Sequence, residues 1–418
     1  MKKSFAIFFS AVFLLASCSK QDSKKVKTAK ANLESGTWRA VLDLGEEELP
    51  FNFILLEKDG KYEMAVINAK EKITVNQITR FGDSLHIKMP VFDSEFQLNI
   101  VDSTKLEGVW VNNYFSSDYR IPFTATFDKK YRFSRNVDPV HYNISGKYEV
   151  TFGDVSDKTT KAVGLFEQGK KNPTYLTGTF LTETGDYRHL EGEFVGDSLY
   201  LSGFDGAHAY LFQAAFENGE LKGEFYSGTH YKQEWTAVKN PIFELRDPYS
   251  LTFLKEGYEQ IDFTFPNLEG EKISLSDKRY QNKVVILQIM GSWCPNCMDE
   301  TVYLTELYEQ YKEQGLEVVA LAFERTNDKE KAIKLLKSLK MRFGARYEFL
   351  LASYEKKASP DTLLPMLDHF ISFPTSIFID KKGNVRKIHA GFYGPGTGDY
   401  YLRFKEETDA LVQKLLAE

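Results

Sequence analysis

The chain's 418 residues exceed one ordinary globular domain and point to two or three. With 42% hydrophobic and 27% charged residues it has the composition of a folded protein, which excludes wholesale disorder. A formal net charge of −6 excludes a general nucleic-acid binder, because neutralising phosphates requires a concentrated basic surface.

Lys2 and Lys3 precede a short apolar run from Ser4 to Ser17. The run falls short of the roughly 20 apolar residues of a spanning helix, so residues 1–17 read as a secretory signal peptide. Leu15-Ala16-Ser17-Cys18 resembles the lipobox of bacterial lipoproteins. That resemblance implies removal of the segment before Cys18 and attachment of a diacylglycerol to its thiol. The protein is then expected outside the cytoplasm, anchored to a bacterial membrane by lipid, on the periplasmic side. Residues 18–34 are polar and lysine-rich and read as a flexible tether.

From residue 35 to 240 the chain consists of short alternating segments divided by Gly, Asp and Asn, the pattern of antiparallel hairpins. Three motifs return in order. Ser35-Gly36-Thr37-Trp38 corresponds to Ser145-Gly146-Lys147-Tyr148, and Gly82-Asp83-Ser84-Leu85 to Gly196-Asp197-Ser198-Leu199. Leu106-Glu107-Gly108-Val109-Trp110 corresponds to Leu221-Lys222-Gly223-Glu224-Phe225. The expectation is an all-β region, barrel or sandwich, duplicated as residues 35–135 and 141–240. His86, His141, His189, His208 and His230 show no short-spaced ligand pairing, so surface or hydrogen-bonded roles are expected.

Over residues 255–418 strands alternate with helices. Val284 to Met290 is a near-continuous apolar run, as in a strand buried on both faces. Gly291-Ser-Trp-Cys-Pro-Asn-Cys297 follows, then a helix to about Gln314 ended by Gly315. A second buried strand spans Val318 to Phe323, a helix Lys329 to Lys340, a hairpin Ser376 to Ala390, and a closing helix Tyr400 to Leu416. With CxxC between the first core strand and its helix, this order predicts an α/β thioredoxin fold.

The motif's chemistry follows from its position. At a helix N-terminus, unpaired N–H groups and the helix dipole favour an anion, so Cys294 is the expected nucleophilic thiolate. Cys297 shares its helix face and resolves the mixed disulfide. Pro295 suits the first turn, Trp293 shields the pair, and Pro374 in Phe373-Pro374-Thr375 is a candidate cis proline opposite the cysteines. One CxxC supplies two metal ligands where structural zinc needs four, so no metal is expected. The glycines of Gly391 to Gly398 lack phosphate-loop spacing and read as a turn and helix cap.

From Gly257 to Glu418 the chain resembles the TlpA/ResA-type thiol:disulfide oxidoreductases, thioredoxin-like proteins related to the AhpC/TSA group and tethered in the bacterial envelope. The resemblance rests on DFTFPNLEG, VVILQIMGSWCPNC and FPTSIFIDKKGNVRKIHAGF. It implies exchange with protein thiols and disulfides, an envelope redox partner, and no cofactor beyond the Cys294–Cys297 disulfide. Glu324 matches a buried acid that assists proton transfer in some relatives; its other reading is a solvated carboxylate paired with Arg325. Pro295-Asn296 places no cation between the cysteines, which favours a reductant or exchange partner over a strong oxidant. Two alternatives stand beside this reading. A thiol peroxidase would carry Thr-x-x-Cys where this chain has Gly291-Ser292-Trp293-Cys294. A lipoprotein binding module would make the β-rich half the working part and the redox domain its accessory.

Overall fold

A computed structural model describes residues 32–116, 118–133, 140–153 and 159–418. The predicted signal peptide, Cys18 and nearly all of the tether lie outside the described residues.

Alternation builds the N-terminal strands. Along Gly36–Asp43, Trp38, Ala40 and Leu42 are buried while their neighbours face outward, so each strand contributes one apolar face. Asp59 and Gly60, with φ of 53° and 72°, close the hairpin between Glu48–Lys58 and Lys61–Asn68, the left-handed pair that a two-residue turn requires. Gly82 and Gly196, from the repeated motif, turn equivalent hairpins with φ of 62° and 58°.

Two nine-stranded antiparallel sheets result, one over Gly36 to Phe127 and one over Gly146 to Lys239. In both, the first strand pairs with the second and the ninth, and the ninth leads back through the eighth, seventh and sixth to the fifth. The second sheet also pairs its third strand, Tyr175–Thr182, with its fifth, Leu190–Val195, and so closes into a barrel. In the first sheet the corresponding strands are neighbours without a ladder among the described residues. The region is therefore all-β with barrel-like sheets. Buried Arg132 fastens the two together, donating to Glu191 at 2.7 Å, Ser202 at 2.9 Å and Asn68 at 3.2 Å.

The C-terminal region has the thioredoxin fold. Its sheet runs Glu348–Ser353, Leu316–Phe323, Val284–Met290, Thr375–Ile379, Val385–Ala390; the first three are parallel and the last two antiparallel. Helices α1 (Pro295–Tyr311), α2 (Lys329–Phe343), the single turn α3 (Pro360–Leu363) and α4 (Asp399–Ala417) complete it. Val284–Met290 is buried throughout because both faces are covered. Ile286 packs with Leu304 of α1, Leu336 of α2 and Val412 of α4; Val285, Leu287 and Ile289 pack with Ile261, Phe263 and Leu367 on the other face.

Candidate active site

The carboxyl end of Val284–Met290 delivers the chain into α1, and Cys294 caps that helix. Its Sγ accepts the Cys297 N–H at 3.1 Å, and Pro295 occupies the first turn, where a missing N–H costs nothing. Cys294 and Cys297 are joined as a disulfide with Cα atoms 5.2 Å apart. Cys294 is 5% exposed and Cys297 fully buried, so an incoming sulfur meets Cys294 first. Phe373-Pro374 is the cis peptide, and the Phe373 carbonyl oxygen lies 3.5 Å from the Cys294 Sγ. Trp293 donates its indole N–H to the Phe323 carbonyl at 2.9 Å and meets Phe373 edge-on, walling the pair on one side.

Glu324 is buried at the end of Leu316–Phe323. Its carboxylate accepts the Ser292 N–H at 2.7 Å and the Ser292 hydroxyl at 2.6 Å, and burial pushes its carboxyl up to about 7. Tyr114, in the turn after the first sheet's strand Lys105–Asn112, reaches the same Ser292 hydroxyl at 3.2 Å. Arg325 turns away, stacking 3.5 Å above the Trp293 ring.

A second buried acid escaped the sequence reading. Glu300 lies one helical turn after Cys297 and is fully buried, accepting from Gln288 at 2.9 Å and from Ser376 at 2.9 Å. Burial raises its carboxyl to about 7. Gln288 also approaches the Cys297 carbonyl at 3.4 Å. The available signal was Gln288 itself, a polar residue inside an otherwise apolar strand, whose burial demands a partner.

The second barrel is built onto the motif. Asn296, between the cysteines, donates to the Asp186 carbonyl at 3.2 Å. Arg188 donates to the Pro295 carbonyl at 3.0 Å and pairs with Asp299 of α1 at 3.0 Å. The same guanidinium pairs with Glu71 of the first sheet and lies 3.9 Å from Asp205. It is held firmly protonated by the surrounding carboxylates, while burial still lifts Asp299 to about 7 and Asp186 to about 6. The glycine-rich loop joins from the other side, its Gly394 N–H bonding Asp186 at 2.5 Å, and ends in a short turn ahead of α4. A cleft of about 600 Å³ separates barrel and motif, lined by Cys294 and Arg325 and also by His208 and His230, distant in sequence. His389 is buried and hydrogen-bonded within the loop at Gly391, and His369 stacks on Phe253. Among the described residues no group of three or more potential ligands is placed to hold a metal.

Residues 257–388 match the model of the AhpC/TSA family. A thiol-disulfide oxidoreductase ResA of Bacillus thuringiensis (strain Al Hakam) is 33% identical over 129 residues, 31% of this chain and 66% of that protein. One of Halalkalibacterium halodurans is 29% identical over 139 residues, 33% of this chain and 69% of that protein. The chain thus spans about two thirds of the length of these relatives, 66% for the first. Among solved structures, a thiol:disulfide interchange protein of the thioredoxin family from Chlorobium tepidum TLS aligns with 20% identity, 39% of this chain, 98% of that chain and a TM-score of 0.30. Both barrel-like sheets lie outside the residues matched by the family model.

Proposed function

We propose that this chain, whose residues 257–388 form an AhpC/TSA-family domain, is a thiol:disulfide oxidoreductase working through the Cys294–Cys297 pair. The observation that carries the reading is the pair itself: one sulfur at a helix cap with a sliver of exposed surface, its partner fully buried, and the carbonyl of Phe373, just before the cis proline, 3.5 Å away.

In the reduced protein the Cys294 thiolate is stabilised by the Cys297 N–H and the helix dipole. It attacks one sulfur of a substrate disulfide. A Cys294–substrate bond forms, the substrate S–S bond breaks, and the departing sulfur leaves as a thiolate. Cys297 then gives up its proton and attacks the Cys294 Sγ, and the second substrate sulfur leaves. Two electrons have passed to the substrate, and the enzyme ends as the disulfide described above. Glu324 and Glu300, both with carboxyls near 7, are groups beside the motif able to take and return that proton at neutral pH. Pro374 and Trp293 frame the approach.

The direction we favour is reduction or exchange of protein disulfides. A strong oxidant requires a strongly stabilised thiolate, and Arg188, which bonds the Pro295 carbonyl, is offset by Glu71, Asp205 and Asp299, while Arg325 is engaged on the Trp293 ring. We place the protein in the cell envelope, lipid-anchored through Cys18 and served by an envelope redox partner. Cys297→Ser tests the reading: it should accumulate mixed disulfides on Cys294, and Cys294→Ser should accumulate none. Equal trapping by both variants would overturn it.

A further inference from the structure

The cleft in front of Cys294 has two walls from different parts of the chain. Arg325, Ser372 and Phe373 of the thioredoxin domain form one, and the second barrel forms the other. The barrel's wall is aromatic. Tyr187 and Tyr210 lie 5.1 Å apart, Tyr210 and Phe225 5.6 Å, and Phe225 and Tyr231 6.1 Å, linking half-buried Tyr187 and Tyr210 through buried Phe225 to the exposed ring of Tyr231. Trp293 and Phe373 continue aromatic surface on the cysteine side, 5.2 Å from each other.

This arrangement limits what reaches the nucleophile. Cys294 is only 5% exposed, and its neighbouring residues are held by Asp186 and Arg188 of the barrel that forms the opposite wall. A partner docking through a broad folded face, roughly 800 Å² a side in a standard interface, suits this cleft less well than a short chain segment does. A concave site of about 600 Å³ instead has the size that encloses a small ligand or short chain segment. Aromatic walls reward an aromatic occupant, since paired rings gain attraction beyond the area they bury.

We propose that the second barrel is the substrate-selecting half of the active site, and that the cleft takes an extended peptide segment whose cysteine is flanked by an aromatic side chain. This rests on the thiol-exchange reading above. The flanking ring seats against Tyr210 and Tyr231 while the substrate sulfur meets Cys294. During exchange the Cys294–substrate disulfide forms as the substrate's own S–S bond breaks, and Cys297 then releases the peptide as a thiol.

The test uses the purified full chain, kept reduced by dithiothreitol, and two synthetic peptides of equal length. Each carries one cysteine as a mixed disulfide with glutathione, flanked by Phe in one and by Ser in the other. Expected is a kcat/KM about tenfold higher for the Phe peptide, the scale of one aromatic contact. Tyr231→Ala and Tyr210→Leu should bring that ratio towards one. Equal kcat/KM for the two peptides, or a ratio unmoved in both variants, overturns the proposal. Glutathione disulfide separates the two readings. Its turnover by the wild type, lost in Cys294→Ser, upholds the exchange chemistry even where peptide selection fails; no turnover of any disulfide overturns both.

Discussion

Arg188 of the second barrel donates a hydrogen bond to the carbonyl of Pro295, inside the CPNC motif, at 3.0 Å. A residue 107 positions upstream therefore holds the first turn of the active-site helix. The same side chain is the buried counter-charge of Asp299. Breaking such a pair by removing one partner leaves a buried charge uncompensated, at a cost of about 3 kcal/mol. Arg188→Met should lose about that much in urea unfolding, and adding Asp299→Asn should restore part of it. A loss below about 1 kcal/mol would show that the cluster is solvated and does not fasten the motif.

Gly185 sits against the same motif. Its φ is +143°, and a Cβ built there would stand 2.2 Å from the Asn296 Nδ2. Gly185→Ala combines backbone strain with displacement of Asn296 from the Asp186 carbonyl. We expect a destabilisation of about 1–3 kcal/mol and a shifted reduction potential of the Cys294–Cys297 pair. Potential is read by equilibration with a glutathione buffer, and an unchanged value would separate the barrel from the redox chemistry.

Stability should depend on pH through the buried acids. Glu300 and Glu324 have folded-state values raised by burial to about 7, so the native protein holds protons that the unfolded chain releases near 4.5. Their contribution is complete below 4.5 and is lost as pH rises through 7. His389, depressed by burial to about 4, acts in the opposite sense between 4 and 6.5. Melting curves at pH 5.5 and 8 should therefore favour the acidic side. Glu300→Gln should flatten that slope by about 2 kcal/mol, because the amide has no proton to lose. A slope unchanged in the variant would mean that Glu300 stays ionised in the fold.

Kinetics should report Glu324 separately. Its carboxyl near 7 and its two hydrogen bonds to Ser292 give the exchange rate an inflection close to neutrality. Glu324→Gln should keep the bond from the Ser292 N–H while removing the titration, so the inflection disappears and the rate near pH 7 falls about tenfold or more. Retention of the inflection would show that Glu324 does not set it.

Much of the thioredoxin half was legible because its signals are local. Helix capping, the proline in the first turn and the apolar run of Val284–Met290 follow from rules spanning a few residues. The strands of the N-terminal half were legible from alternation, and their duplication from motifs that turn equivalent hairpins. Glu324 shows where that reach ended. Sequence placed it after a core strand but left it between a buried acid and a surface ion pair. The fold decided by covering it and offering Ser292, while Arg325 found the face of Trp293.

The sequence by itself determined where the cysteine pair sits, since a CxxC motif at a strand–helix junction needs only local geometry to place one sulfur at the helix cap. Tertiary structure alone decided what surrounds them. Arg188, Asp186 and Tyr231 carry no local signature, being ordinary residues of barrel strands and loops. Arg188 and Asp186 bond the motif, and Tyr231 lines the cleft before it, because two domains pack with buried charge and backbone hydrogen bonds at the seam, and no period or spacing along a chain encodes such a contact.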